Sequence, residues 1–471
     1  MSSVDRSQLP GLGPDPSFSF PEICKTTMPN GLKVCTVEHR TVPVVAFMLL
    51  IPIGSANDPI DKPGLAALTG DLLDEGSGGH SSGEIHDALA RIGALFDTDV
   101  SSDATVLTLV TMARFADRAL ALLADMIRYP RFDEMEFARV RDLRITRLSQ
   151  MSDVPSAVAN RVFTKSLFRE HPYGHMAIGT EDSLRLMSVD EVVAFHRDRY
   201  VPSKTTLVAV GSLSHEQLLQ AVTGAFCGEQ GETHTPLSVE VDFSLGVSSF
   251  EQPSPPTERM LVVNRPSAAQ SELRIGHVTV SRDTPDYHAL LVLNMILGGQ
   301  FVSRINLNLR EDKGYTYGAR TAFDLRRVCG IFALHSSVQT RVTADAIREV
   351  LAEFQMIRDG RPVTESELDS ARAALTRGYP QRFETVTQIA SAVAHLVLYN
   401  LPDDSVSQFV PHILKVDLKT VRRVAISHLD PENLLTVIVG DRDKIFPTLN
   451  QLGFGPPIEV PPDGNEVILS N

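Results

Sequence analysis

The sequence predicts an α+β fold: two homologous halves, each a mostly antiparallel sheet with helices packed on one face, arranged as a clamshell. Three internal repeats predict it. VDEVVAFHRDRYVPSKTTLVAVG (189–211) and VDLKTVRRVAISHLDPENLLTVIVG (416–440) each read as an amphipathic helix, a Pro-containing turn, a β-branched strand and a closing glycine. FDEMEFARVRDLRITRL (132–148) echoes VTESELDSARAALTRG (363–378), and each starts with acidic residues, which the helix dipole favours at that end. VVAFMLLIPIG (44–54) and LRIGHVTV (273–280) are β runs leading into helices, one starting near Pro63 and the other over PDYHALLVLNMILGG (285–299).

The remaining elements fall into the same frame. Ala/Leu-rich helices, ADRALALLADMI (116–127) and TADAIREVLAEFQMI (343–357), precede the acidic-start helices. Each half then reads β–α–β–α–α–α–β, an order that layers helices on a sheet. The expected organisation is a flexible N-terminal arm (1–21), a first α+β domain (22–227), a linker (228–257), a second α+β domain (258–460) and a tail (461–471). The linker is rich in Gly, Ser, Thr and Pro, with VEVDF as its one strand candidate.

Composition narrows the function. With 471 residues, 43% apolar and 22% charged, the chain can bury large cores, which excludes wholesale disorder. Lys and Arg number 44 against 58 Asp and Glu, so the net charge is 44 − 58 = −14. That field repels polyanions and argues against nucleic acid as a partner. Cys24, Cys35, Cys227 and Cys329 form no CxxC pair and read as idle thiols of a reducing compartment. The first residues show no apolar leader and no run of 18 apolar residues occurs, so a cytoplasmic protein with no membrane partner is expected. Nucleophile-elbow, phosphate-loop and dinucleotide signatures are not found.

The histidines do not suggest a metal site by themselves. His80 and His86 lie six apart in a Gly/Ser-rich stretch and read as solvated loop residues. His171 and His175 have metal-like spacing, but HPYGH places Pro and Gly between them, which makes a turn.

PNGLKV (29–34), IGSAND (53–58) and PGLAALTGDLLDEGS (63–77), with the repeated organisation, resemble the pitrilysin/insulinase family of zinc endopeptidases, which includes the mitochondrial processing peptidase. The resemblance spans roughly residues 22–450. In active members the helix at 63–77 carries H-x-x-E-H: two histidines on one helical face bind Zn²⁺ and the glutamate is the general base. Here Ala67 stands at the first histidine, Gly70 at the base and Asp71 at the second histidine. The helix that would supply a third ligand, VRDLRITRL (140–148), has Val140 and Arg147 at the family's glutamate positions, Arg147 lying 76 residues after Asp71. An arginine repels a cation, so no metal is expected in this chain.

The second half keeps a motif. LNLREDKGYTYGAR (307–320) resembles the family's arginine–tyrosine stretch, with Arg310 and Tyr317 seven apart. By resemblance these two side chains reach substrate held at a zinc site. Their chemistry suits that role: Arg offers five donors in a planar fork, and a Tyr hydroxyl can donate to a carbonyl or an oxyanion. Tyr315 competes with Tyr317, and the seven-residue spacing favours Tyr317. Gly298 and Gly299, just upstream, would permit a close backbone approach or a hinge.

The resemblance therefore implies a division of labour between two chains. This one would be the non-metal subunit of a heterodimeric zinc endopeptidase, inactive alone, contributing Arg310 and Tyr317. A similar-sized homologous subunit with H-x-x-E-H would bring the zinc, and an unfolded peptide would be the substrate, adding as a strand to an exposed sheet edge. The alternative is a catalytically inert scaffold in a larger complex.

Overall fold

The computed structural model describes residues 18–226, 252–453 and 455–464, and in it the repeats become two six-stranded sheets. The first half contributes β1 (Cys24–Thr27), β2 (Lys33–Glu38), β3 (Val44–Ile51), a two-stranded ribbon of β4 (Gly76–Ser77) and β5 (His80–Ser81), then β6 (Leu95–Val100), β7 (Thr105–Met112) and β8 (Thr206–Gly211). The second contributes β9 (Met260–Asn264), β10 (Gln270–Thr279), β11 (Thr316–Asp324), β12 (Gly330–Gln339), β13 (Leu435–Gly440) and β14 (Ile458–Glu459). The large sheets run β1-β2-β8-β3-β7-β6 and β11-β12-β10-β13-β9-β14. Read from opposite ends, five strands of each correspond, with β2 matching β9, β8 matching β13 and β6 matching β11. The outermost strands differ: β1 is antiparallel to β2, whereas β14 is parallel to β9. Both sheets are mostly antiparallel, as expected.

Each matched segment forms the element its pattern demands. The repeated helices are Val189–Arg199 and Leu418–His428, Glu134–Ser152 and Glu365–Thr376, and Ala116–Arg128 and Thr343–Gln355. VVAFMLLI in β3 is buried along nearly its whole length, and such a continuous apolar run requires cover on both faces. One face is the predicted one: Val45, Phe47, Leu49 and Ile51 pack with first-half helices. The other face carries Ala46, Met48 and Leu50, and it is covered by Val386, Ile389 and Val393 of the helix Val386–Leu398, which comes from the second half.

The exchange is reciprocal. The first-half helix Pro155–Phe168 lays Val158, Val162 and Phe163 against β10 and β13, in one cluster with residues such as Val278 and Val437. Each half thus completes the other's core, and every fully buried Leu, Val or Phe in these contacts contributes about 1.5–3 kcal/mol. Polar links add to the apolar ones. Asp103, in the β6–β7 turn, accepts from the Tyr173 hydroxyl and from the Arg327 backbone N–H at 3.0 Å.

Three local expectations are corrected. Residues 18–21 were expected in a flexible arm, but Phe18 stacks on Phe383 and Phe20 is buried against the same ring, because two aromatics so spaced can fill a groove on the second half. His86 lies on the helix Ser82–Arg91, whose start is fixed by a Ser81/Glu84 capping box, and not in a loop. The stretch Tyr287–Asp312 is long and apolar enough to cross a bilayer, yet 56% of its most apolar window is buried inside the protein. Most of the expected linker, with VEVDF, lies outside the described residues, as does Cys227; Cys24, Cys35 and Cys329 are free thiols.

Candidate functional site

The helix Leu65–Asp71 is the one that would carry a metal motif. Its start is set by Asp58, whose side chain is fully buried and accepts from the Gly64 and Ala66 N–H groups, both at 2.7 Å. His175 Nε2 meets the same carboxylate at 3.0 Å, which holds the HPYGH turn against this helix. At the helix end, Asp71 forms an ion pair with Arg144, from the helix Glu134–Ser152, and Arg144 Nη2 also donates to the Ala177 carbonyl at 3.1 Å. Arg147, expected at the third-ligand position, is exposed; Arg144 lies one helical turn earlier, on the face turned toward Asp71.

These residues do not fit zinc. Ala67 and Gly70 offer no donor atom, and the Asp71 carboxylate is already neutralised by a covalently fixed cation. Among the described residues, no group of three or more His, Cys, Asp or Glu is arranged to hold a metal ion. Neighbouring carboxylates show the same adjustment. Glu75 is paired with Arg139, while Asp74, with His86 3.9 Å away, is pushed up to about 6 by burial and by the adjacent Glu75.

Arg310 and Tyr317, by contrast, line one cavity of about 570 Å³ in the second half. The cavity wraps round the edge strand β11. From the helical side come Gly298, Phe301 and Arg310; from β10, β11 and β12 come Arg274, Arg320 and His335. Arg310 sits in a π-helical turn, Leu307–Asp312, and its guanidinium stacks on the Phe301 ring at 4.2 Å. Widened turns of this kind recur at functional sites because they re-aim a side chain without ending the helix.

Tyr317 is presented by a β-bulge. Thr316 pairs with Val338 but Ala319 pairs with Ser336, so Tyr317 and Gly318 together oppose Ser337. Hydroxyls staple the bulge: Thr316 Oγ1 donates to the Ser337 carbonyl at 2.6 Å and Ser336 Oγ to the Gly318 carbonyl at 3.1 Å. The extra residue leaves Tyr317 91% exposed. Tyr315 is half-buried against the second-half core, and its backbone N–H is bonded to Leu309. Gly298 serves close approach: a Cβ there would lie 2.5 Å from Thr321 Oγ1 and 2.7 Å from its backbone nitrogen on β11.

Arg274, Arg320 and His335 were not singled out from sequence. Their register makes them one row, Arg274 opposite His335 on β12 and His335 opposite Arg320 on β11. Strand alternation could have placed them on one face, but only the pairing brings them side by side. Arg274 is buried and fully used. It donates to Asn160 Oδ1 at 2.6 Å, Glu272 Oε1 at 2.7 Å and the Ser156 carbonyl at 3.3 Å, which ties β10 to the exchanged helix. His335 is pushed down to about 4 by burial and by the two flanking arginines, so it is uncharged at neutral pH.

Comparisons with known proteins agree with this architecture. The insulinase (peptidase family M16) model matches residues 33–181 and the peptidase M16 inactive domain model matches residues 187–375. The uncharacterized zinc protease YmxG of Bacillus subtilis is 24% identical over 353 residues, covering 74% of this chain and 82% of the relative. A protein of Helicobacter pylori described as the non-peptidase homolog YmxG is 22% identical over 413 residues, covering 86% and 91%. Among solved structures, a peptidase M16 inactive domain from Pseudomonas fluorescens superposes with a TM-score of 0.80 at 24% identity, covering 89% of this chain and 98% of that one. A Helicobacter pylori protease structure gives a TM-score of 0.78 at 20% identity, covering 89% and 99%, a likeness of fold. With two adjacent family models tiling most of its length and a zinc-binding motif replaced by an arginine–aspartate pair, this chain belongs to the insulinase (M16) peptidase family as a peptidase-like member without the family's metal ligands.

Proposed function

We propose that this chain is the non-metal subunit of a two-chain zinc endopeptidase, gripping an unfolded peptide that a similar-sized H-x-x-E-H partner cleaves. The observation that carries the reading is the contrast between an ion pair filling the degenerate metal position and an open cavity holding Arg310 and Tyr317. The partner would supply the zinc and the general base. The Arg310 guanidinium and the Tyr317 hydroxyl would donate hydrogen bonds to the peptide's carbonyl oxygens and favour the charge that develops at the scissile carbonyl. The Ala319 N–H on the β11 edge is already bonded to Asn306 Oδ1 at 3.1 Å, so that group is not available to pair with a peptide strand.

The test mixes this chain with its H-x-x-E-H homologue and follows cleavage of an unfolded peptide. The mixture cleaves and this chain alone does not. Arg310→Ala and Tyr317→Phe each lower kcat by about 10²–10³, the usual cost of losing one such donor. Unchanged kcat in both variants would remove the assigned role and leave the inert-scaffold reading.

A further inference from the structure

We propose that the Arg310/Tyr317 cavity selects peptides bearing a carboxylate, with Arg320 as the residue that reads it. The inference rests on the reading of this cavity as a peptide site and adds the chemistry of what enters it. Three arginines line the cavity, Arg274, Arg310 and Arg320, against one carboxylate, Glu272. Glu272 is committed to Arg274 at 2.7 Å and to the Ser337 hydroxyl. Glu311 approaches Arg310 Nε at 3.3 Å, which leaves Arg320 without compensation. Among the described residues, Arg320 has no ion-pair partner, and neither the Arg310 nor the Arg320 guanidinium donates a hydrogen bond to another of them. The planar five-donor fork of Arg320 therefore stands unused in the cavity, and that of Arg310, stacked on Phe301 and near Glu311, keeps donors to spare.

The neighbours feel that charge. Arg320 is among the causes that hold both His335 and Arg274 below their ordinary values, after burial in each case. His335 is uncharged at neutral pH and adds nothing to cancel or reinforce the field. The result is a basic cavity on a protein of net charge −14, where chance composition would give an acidic one. Focused positive potential walled by protein attracts an anion, and a guanidinium fork matches a carboxylate bidentately. The exposed rings of Phe301 and Tyr317 beside the cavity offer apolar surface that suits a peptide more than a small free anion.

The carboxylate could be an Asp or Glu side chain or the peptide's C-terminus, and the experiment separates them. Fluorescence anisotropy would measure binding to the full chain, without partner, of labelled unfolded peptides differing only by Glu against Gln, and of a second pair ending in acid or amide. One pair should show about tenfold tighter binding for the charged form, as expected of a charge-assisted hydrogen bond. The preference should weaken as salt rises. Arg320→Gln, at an exposed position that does not threaten folding, should bring the two affinities within about twofold. Equal affinities in both pairs would overturn carboxylate selection, and a preference surviving Arg320→Gln would overturn the assignment of Arg320 as its reader, each while leaving peptide binding intact. Failure of every peptide to bind would overturn it together with the peptide-site reading.

Discussion

In the first half Arg139 and Arg144 are paired with Glu75 and Asp71, so charges left where the family keeps a metal cancel within the fold. In the second half Arg310, in a π-helical turn, and Arg320, on an edge strand bulged outward, have donors left over. The same side-chain type is structural in one place and available in the other. Cancellation from within is what a protein does with a site it no longer uses, because a lone buried charge is costly. Leaving exposed cations uncompensated costs little and keeps them for a ligand.

The comparison presumes that the two halves are mutually dependent, and separating them is the strongest way to break it. Residues 18–226 expressed alone would uncover the β3 and β8 face that carries Ala46, Met48, Leu50, Val208 and Val210, and would strand the helix Pro155–Phe168 without its sheet. The expected outcome is loss of a native near-ultraviolet circular dichroism signal with strong dye binding to exposed apolar surface, and rescue on co-expression with residues 252–471. A cooperatively folded first half would show that the exchanged helices are incidental.

How much of this was legible beforehand follows from range. The repeats, strand runs and helix starts are local, and the sequence pattern placed them well: β3, the capped helices and the repeated strand–glycine ends all formed where expected. Arg310 and Tyr317 were singled out by motif spacing, and the fold brings them to one cavity. The exchange of helices was not legible, because Pro155–Phe168 and Val386–Leu398 look like any amphipathic helix until a sheet is chosen for them. The Arg274–His335–Arg320 row depends on strand register, and Arg144 replaced Arg147 because helical phase decides which of two arginines faces Asp71.

A smaller perturbation targets the cancelled charges. Arg144→Met would leave Asp71 facing Asp74 and Glu75 and would free the Ala177 carbonyl. Removing one member of a well-buried pair costs about 3–5 kcal/mol, but the Asp71 side chain is 39% exposed, so a loss nearer 2 kcal/mol is expected in urea unfolding. A double-mutant cycle with Asp71→Asn should recover part of that loss, because the second change removes the orphaned charge. No recovery would mean that Arg144 matters for packing and not for compensating Asp71.

The smallest expected effect sharpens the same comparison through pH. Asp74 titrates at about 6 when folded, against 3.8 for a free carboxyl, because burial and Glu75 disfavour its charge. Its folded form therefore binds the proton more tightly. The associated stability is full below the unfolded value, falls as pH rises from 3.8 toward 6, and is gone above. The cancellation in the first half is thus incomplete at neutral pH, since Arg139 and Arg144 are committed to Glu75 and Asp71 and Asp74 is left against them. Asp74→Asn, which keeps the shape and removes the charge, should stabilise the protein by up to about 2 kcal/mol at pH 8 and by far less at pH 4, read as urea midpoints at the two pH values. An equal gain at both would place the effect in packing or the unfolded state, and Asp74 would then leave no uncancelled charge to blur the contrast between the two halves.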